Sequence, residues 1–147
     1  ISGGSDYSIR VWDAGSGVVH KVLNRDNSLE IVRALAFAPD GRTFASGGDM
    51  LRLWDAKTGA LKFALRGHTD WLRAVAFSSD GRWLASCSND QTIRLWKASD
   101  GELVQTLSAH ADMATAVAFA PGGKVLASAS DDGSVKLWDL SALKSSE

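Results

Sequence analysis

The stretch from Gly67 to Lys97 reads GHTDWLRAVAFSSDGRWLASCSNDQTIRLWK and contains the pattern that decides the fold. Three short apolar runs lie within it, at residues 72–77, 83–87 and 92–96. The segments Ser79-Asp80-Gly81 and Asn89-Asp90-Gln91 separate these runs. Runs of about five residues that are rich in β-branched and aromatic side chains, and are bounded by such turns, are typical of strands joined by tight turns. The stretch therefore predicts an antiparallel meander.

The same pattern recurs along the chain at a fixed interval. Tryptophans stand at Trp12, Trp54, Trp96 and Trp138, and the three intervals between them are equal. Other positions keep nearly the same phase: Phe37, Phe77 and Phe119; Gly41, Gly81 and Gly123; Ser46, Ser86 and Ser128. Several features locked to one period indicate a true structural repeat.

These repeats resemble those of the WD40-repeat β-propeller family. The resemblance rests on the period, which in that family is about 40–45 residues, on Gly67-His68 and on the Trp-Asp pairs at Trp12-Asp13, Trp54-Asp55 and Trp138-Asp139. Lys97 departs from the pattern, because an aspartate is expected after Trp96. The resemblance covers essentially the whole chain and implies an all-β fold of four-stranded antiparallel meanders, each of which forms one blade of a propeller.

The domain organisation follows from counting strands in these repeats. We expect residues 1–147 to be a single repeat region whose phases end near the four period-marking tryptophans. Residues 1–13 match the end of one strand, a turn and the tryptophan-bearing strand. The strand count is two, then four, four and three, which is an incomplete ring of three blades with an extra strand. Propellers close with about 4–8 blades. We therefore expect the chain to be the C-terminal part of a longer propeller; the alternative is that a second copy supplies the missing blades and two arcs close one homo-oligomeric ring.

Composition and charge narrow the classes of partner. The 147 residues carry a net charge of −1, which argues against nucleic acid and anionic membranes as partners. No apolar run approaches the length of a membrane-spanning helix, which needs about 18 residues or more. Cys87 is the single cysteine, so no internal disulfide can form. We expect an intracellular, cytoplasmic protein with no cofactor.

A set of polar residues recurs with the blades. In the family that the chain resembles, a His, a Ser, an Asp and a Trp form a hydrogen-bonded chain within each blade. The corresponding residues here are His68, Ser86, Asp90 and Trp96; His110, Ser128, Asp132 and Trp138; and, in the first partial repeat, Ser2, Asp6 and Trp12. Indole donates, hydroxyl both donates and accepts, and carboxylate accepts, so the chemistry is self-consistent.

Serine, histidine and aspartate are also the residues of a catalytic triad. Their recurrence in each blade favours a structural role, because a nucleophile needs one unique copy beside an open pocket. The three histidines fall in separate repeats, which argues against a metal site. We therefore predict no catalytic or metal-binding residues. The alternative is a propeller enzyme with its active site in the central channel.

The blade from Ile31 to Leu65 departs from the pattern. It has no histidine, the loop before it (24–30) is two residues longer, and Asp49 is out of phase with Asp90. We expect its polar chain to be absent. The blade is either a degenerate one held by its neighbours or one whose long loop reshapes a binding rim.

The resemblance also implies where a partner binds. In propellers, interaction sites usually lie on the face that carries the loops into the first strand and those between the second and third strands. The residues at these positions are Ile31, Arg33, Trp71, Arg73, Asn89, Met113 and Asp131. Large apolar residues beside arginines have the composition of interface hot spots, although Trp71 could instead pack over the next blade. We expect a non-catalytic scaffold that binds protein or peptide, as a module of a larger signalling or regulatory protein.

Overall fold

The computed structural model describes residues 1–24, 31–108 and 110–143. Over these ranges the backbone forms fourteen β-strands and no helix, and the strands make four antiparallel sheets. A membrane-spanning helix is accordingly not found in the described part of the chain. The fold is all-β and has the blade architecture that the repeats predict.

The strands pair in sequence order within each sheet. The first sheet contains β1 (Ser2–Gly3), β2 (Ser8–Trp12) and β3 (Val19–Asn24); the second contains β4 (Ala34–Phe37), β5 (Thr43–Gly47), β6 (Leu51–Asp55) and β7 (Leu61–Leu65). The third contains β8 (Leu72–Phe77), β9 (Trp83–Ser88), β10 (Thr92–Lys97) and β11 (Leu103–Ser108). The fourth contains β12 (Ala114–Phe119), β13 (Val125–Ser130) and β14 (Val135–Asp139). We refer to these sheets as blades 1 to 4.

The predicted count of two strands in the first repeat is wrong by one. Ser2 pairs with Arg10 and Gly3 with Ile9, so the two residues of β1 form a strand beside β2. The described sheets therefore hold three, four, four and three strands. Residues 1–13 were expected to include the end of one strand, and β1 is that strand end, which the count of two left out.

The period of the tryptophans is preserved in the strand register. Trp54 lies opposite Phe44, Trp96 opposite Leu84, and Trp138 opposite Leu126. In blades 1 to 3 the register with the outer strand shifts just before the tryptophan, so each of these blades carries an irregularity at the same place. Equivalent residues of successive blades can therefore be compared directly.

The core lies between the blades. Trp96 of blade 3 packs in one apolar cluster with Leu51 and Leu53 of blade 2, whereas Ile93 and Leu95, on the opposite face of β10, belong to a cluster with Leu126 of blade 4. Each inner blade thus turns its tryptophan toward the preceding blade and its aliphatic face toward the next. The four sheets do not close into a ring.

Candidate functional site

The loops predicted to bind a partner lie at one end of the blades. Asn89 donates its backbone N–H to the carbonyl of Trp71, over 2.9 Å, and Asp131 does the same to Met113, over 3.0 Å. These bonds join the loop before the first strand to the loop between the second and third strands in blades 3 and 4. The antiparallel meander puts both kinds of loop at the same sheet end.

Arg33 and Trp71 are brought together across two blades. The guanidinium carbon of Arg33 lies 4.2 Å from the centre of the Trp71 ring, within the range of a cation–π contact. Trp71 remains 50% exposed, so the stacked pair is open to solvent. The ring contact of Trp71 is therefore with an arginine of the preceding blade.

A second arginine makes a similar contact one blade further on. Arg73 donates from Nε to Oδ1 of Asn89, over 2.6 Å, and its Nη2 lies 3.7 Å from the sulfur of Met113 in blade 4. Among the residues that the structure describes, neither Arg33 nor Arg73 forms an ion pair with a carboxylate. The face thus presents two guanidinium groups beside two large apolar side chains. We call Arg33, Trp71, Arg73, Asn89 and Met113 the arginine rim.

The other two predicted residues lie beside the rim. Ile31 is partly buried at the start of blade 2, and Asp131 is exposed in the loop of blade 4. One of the two interpretations of blade 2 was that its long loop reshapes the rim, and residues 25–30 of that loop are outside the described residues.

In blade 3 the four polar residues form one continuous chain. Trp96 Nε1 donates to Ser86 Oγ over 2.9 Å, and Ser86 Oγ lies 2.8 Å from His68 Nε2. His68 Nδ1 lies 2.8 Å from Asp90 Oδ2, and this carboxylate also accepts the backbone N–H of Thr69. Because the indole can only donate, the hydroxyl proton of Ser86 goes to the histidine, which then donates its other N–H to Asp90.

Blade 4 repeats this arrangement. Trp138 Nε1 donates to Ser128 Oγ over 2.9 Å, His110 Nε2 lies 2.8 Å from the same oxygen, and His110 Nδ1 lies 3.1 Å from Asp132 Oδ2. Hydrogen bonds from the Ser134 hydroxyl and the Ala111 backbone hold the pKa of Asp132 well below its usual range. The carboxylate therefore stays ionised and fixes the histidine.

Blades 1 and 2 keep only part of the chain. Trp12 Nε1 donates to Ser2 Oγ over 2.8 Å, but Asp6 accepts from Ser8 and pairs with Arg10 instead of joining Ser2. In blade 2 the polar chain was expected to be absent, and this is wrong in one respect: Trp54 Nε1 donates to Ser46 Oγ over 2.9 Å. The tryptophan–serine bond persists because it needs only the strand pairing, which the missing histidine does not alter.

The Ser–His–Asp geometry resembles a catalytic triad but is inaccessible. Ser86 is completely buried and Ser128 is 2% exposed, so a substrate cannot reach either hydroxyl. Each serine oxygen also accepts an indole N–H. Burial raises the pKa of the neighbouring Cys87 thiol to about 12, which leaves no thiolate near neutral pH. No group of His, Cys, Asp and Glu side chains suited to a metal ion occurs among the described residues.

A cavity between blades 2 and 3 was not predicted from the sequence. Its volume is about 370 Å³, and it is lined in part by Thr43, Lys62, Lys97 and Ala98. The only sequence signal toward it was Lys97, which stands where the repeat calls for aspartate.

Comparison with known sequences agrees with this geometry. The family model "WD domain, G-beta repeat" matches residues 20–55, 59–97 and 101–139, well over half of the chain. The chain belongs to the WD40-repeat family. Each matched segment ends at the residue that follows the tryptophan of one blade.

Several curated proteins are similar to this WD40 chain. It is 36% identical over 95 residues to "Target of rapamycin complex subunit wat1" of Schizosaccharomyces pombe, covering 63% of the chain and 30% of that protein. It is 35% identical over 97 residues to "Nuclear distribution protein PAC1" of Arthroderma benhamiae (60% of the chain, 21% of that protein). It is 42% identical over 82 residues to human "WD repeat and SOCS box-containing protein 1" (53% and 19%). The chain thus matches less than a third of the length of each of these relatives.

Proposed function

We propose that this WD40 chain is a non-catalytic platform that binds protein or peptide through the arginine rim. It acts as a module of a larger signalling or regulatory protein inside the cell. The observation that carries the proposal is the contact of each rim arginine with an apolar side chain of the next blade, Arg33 with Trp71 and Arg73 with Met113. These contacts hold the guanidinium groups in place without pairing them with a carboxylate.

The chemistry of the rim suits a protein surface better than a small substrate. Aromatic residues, Met and Arg are enriched in protein interfaces, and Trp and Arg dominate their hot spots. Arg33 and Arg73 still have hydrogen-bond donors free of carboxylates in the described structure. A partner segment that carries Asp or Glu would supply them.

The relatives support this class of function. One is named a subunit of a target of rapamycin complex, and another is named for a SOCS box beside its WD repeats. The first name describes a protein that is part of a complex, and the second describes WD repeats joined to another element in one chain. By extension, we assign this chain to an assembly or to a longer regulatory protein.

Affinity capture tests the proposed face. The bait is the protein with the double substitution Trp71→Ala and Arg73→Ala, compared with the wild type. Gln105→Ala with Thr106→Ala is a matched control, because both residues are exposed on the outer strand β11. Proteins captured by the wild type and the control but lost from the rim variant support the proposal. Identical captured sets from all three baits contradict it.

We also propose that further WD40 blades cover the two end faces of the described arc. Val135 and Leu137 of blade 4 are 71% and 74% exposed, whereas their equivalents in blade 3, Ile93 and Leu95, are completely buried. Trp12 of blade 1 is 43% exposed, against 2% for Trp96. Exposed apolar faces of this size favour association. A longer propeller is the first source of the missing blades, and a second copy of the arc is the alternative.

Light scattering of the 147-residue chain separates these sources. Two arcs that close one ring should give a monodisperse particle of twice the chain mass. A chain that needs blades from a longer protein should self-associate without a defined end point. A stable monodisperse monomer contradicts both.

A further inference from the structure

The cavity between blades 2 and 3 lies at the opposite end of the sheets from the arginine rim. Its lining comes from the turns between the first and second strands, such as Asp40 and Asp80, and from the turn after Lys97. Its volume of about 370 Å³ falls within the range of ligand pockets, about 300–1,000 Å³. It is therefore separate from the proposed partner face.

The register shows why this space is open. Thr43 of β5 pairs with Asp55, the residue after Trp54. In the next blade Trp83 of β9 pairs with Lys97, the residue after Trp96. The two residues are thus equivalent, and both lie on the face that points toward the following blade. Trp83 is 9% exposed and belongs to the apolar cluster between blades 3 and 4. The smaller Thr43 leaves the corresponding space between blades 2 and 3 unfilled.

The residue on the opposite side of the junction is also smaller between blades 2 and 3 than between blades 3 and 4. Ala98 donates its backbone N–H to Arg82, and Leu140 donates to Lys124 in the equivalent bond of blade 4. Leu140 is 6% exposed and packs in the same cluster as Trp83. An indole and a leucine side chain therefore fill one blade junction, while a threonine and an alanine line the other.

A third exchange brings a positive charge to the cavity. From the pairing of β6 with β7 and of β10 with β11, Lys62 is equivalent to Val104. Val104 packs against the apolar cluster of its junction, but Lys62 is exposed and its Nζ donates to Thr43 Oγ1 over 3.2 Å. Among the described residues, Lys62 has no carboxylate within ion-pair distance.

Lys97 adds a second lysine to the lining. At the equivalent place Asp55 accepts the Thr58 backbone N–H and Asp139 accepts that of Ser141, so each stabilises the following turn. The ammonium group of Lys97 cannot accept a hydrogen bond and instead pairs with Glu102, which raises the pKa of Lys97. The turn after Lys97 therefore lacks the aspartate cap found in blades 2 and 4, and the cavity lining includes a second lysine.

We infer that this cavity is a second binding site, which takes a large apolar side chain of a peptide flanked by acidic residues. The indole of Trp83 fills the equivalent space at the next junction, and so the cavity has a shape that suits a large apolar side chain. The walls include Phe77 and Ala98, and Lys62 supplies the charge for a neighbouring carboxylate. Asp40 on the lining disfavours an acid at its own position, which places the acidic contact on the Lys62 side.

Fluorescence anisotropy with labelled peptides tests the site in the intact protein. The probe is a fluorescein-labelled peptide, Gly-Glu-Trp-Glu-Gly, and the comparison peptides replace its tryptophan with alanine or both glutamates with lysine. We expect saturable binding of the probe and at least about tenfold weaker binding of the alanine peptide, since loss of the buried indole removes most of the contact area. The lysine peptide should bind at least about fivefold more weakly, because Lys62 repels its charges.

Four variants locate the binding. Thr43→Trp copies the residue of the next junction and should abolish binding. Lys62→Glu should weaken the Glu-flanked peptide by about fivefold or more and strengthen the Lys-flanked one. Lys124→Gln, an exposed lysine in the equivalent region of blade 4, should leave the affinity unchanged. Arg73→Ala distinguishes binding at the arginine rim from binding at the cavity.

Three results would overturn the inference. One is the absence of saturable binding up to about 1 mM probe. Another is binding that persists in both Thr43→Trp and Lys62→Glu. The third is binding that is lost in Arg73→Ala, which would assign the peptide to the rim. Because Lys62 is exposed, the Lys62→Glu variant keeps the test decisive even if Thr43→Trp fails to fold.

Discussion

Proton positions in the blade 3 chain define the state of His68. The side chain is nearly inaccessible, and its burial lowers the pKa below the usual value of 6.5, although Asp90 acts in the opposite direction. Arg94 lowers it further. A neutral ring accepts from Ser86 and donates to Asp90, so every polar hydrogen of the chain has a partner. A protonated ring would force the Ser86 hydroxyl to find another acceptor.

Stability should fall on acidification because of this histidine. The folded-state pKa of His68 is lowered, so below pH 6.5 the unfolded chain binds the proton more readily than the folded one. The stabilising contribution is complete above pH 6.5 and is lost as the pH falls toward the folded-state value. Chemical denaturation between pH 8 and pH 5 should show this decline in the wild type. His68→Gln should flatten it, at a cost of about 1–3 kcal/mol at pH 8.

The control for this experiment is His20→Gln, which replaces an exposed histidine of the outer strand β3. This variant should show the same loss of stability between pH 8 and pH 5 as the wild type. If His68→Gln keeps it too, the acid sensitivity arises elsewhere and the neutral-ring assignment is wrong.

Gly101 is required by both conformation and space. Its φ is +79°, and an added Cβ would overlap Cδ2 of the buried Leu65 in blade 2. Gly41 has a similar φ of +67° but no atom within 4 Å of an added Cβ. Gly41→Ala should therefore lower the free energy of unfolding by about 1 kcal/mol, through backbone strain alone. Gly101→Ala should lower it by about 2–4 kcal/mol, because the added Cβ also disturbs the packing. Equal losses in urea denaturation would show that blade packing does not contribute at Gly101.

Much of the residue-level chemistry was predictable from the period. The period locates the tryptophans, and the resemblance to the WD40 family then implies His68, Ser86, Asp90 and Trp96 as the members of one polar chain, with which donor and acceptor rules agree. The stacking of Arg33 on Trp71 could not be derived in this way. It joins two blades and depends on rotamers, which sequence spacing does not specify.

At the level of elements, strands were easier to predict than loops. Phe37, Phe77 and Phe119 end the first strands of blades 2 to 4, as the apolar runs indicate. The two-residue strand β1 was expected as the end of a strand but was left out of the strand count. The bond between Trp54 and Ser46 also escaped prediction, since the missing histidine of blade 2 suggested that the whole polar chain was lost.

Tryptophans in a loop and in a strand should differ sharply in their contribution to stability. Trp71 precedes β8 and is 50% exposed, whereas Trp96 in β10 is 2% exposed and packs in the core of two blades. Trp71→Ala should change the free energy of unfolding by no more than about 1 kcal/mol. Trp96→Ala should cost about 3–5 kcal/mol. A loss of about 3 kcal/mol or more for Trp71→Ala would mark that ring as core packing and remove it from the rim.

For the whole molecule, the junctions between blades contain the apolar core, and they are also where the repeats differ from one another. The described sheets pair their strands in the same order, yet one junction is filled by Trp83 and Leu140 and another is left open by Thr43 and Ala98. The repeat is visible in a single sequence because its marks follow one another along the chain. The cavity is not, because the side chains that decide it come from two different blades and are about 55 residues apart.

The last prediction concerns the exposed face of blade 4. Leu137 is 74% exposed in the arc, so Leu137→Lys would change the free energy of unfolding by less than about 0.5 kcal/mol if solvent covered this face in the intact protein. If another blade covers it, the lysine would be buried as Leu95 is, and the cost should reach about 3 kcal/mol or more. We expect the larger loss in urea denaturation of the intact protein. Val18→Lys, at a 62% exposed position in the turn before β3, is the control and should be neutral. A neutral Leu137→Lys would mean that the aliphatic face of blade 4 remains in water and that the ring stays open there.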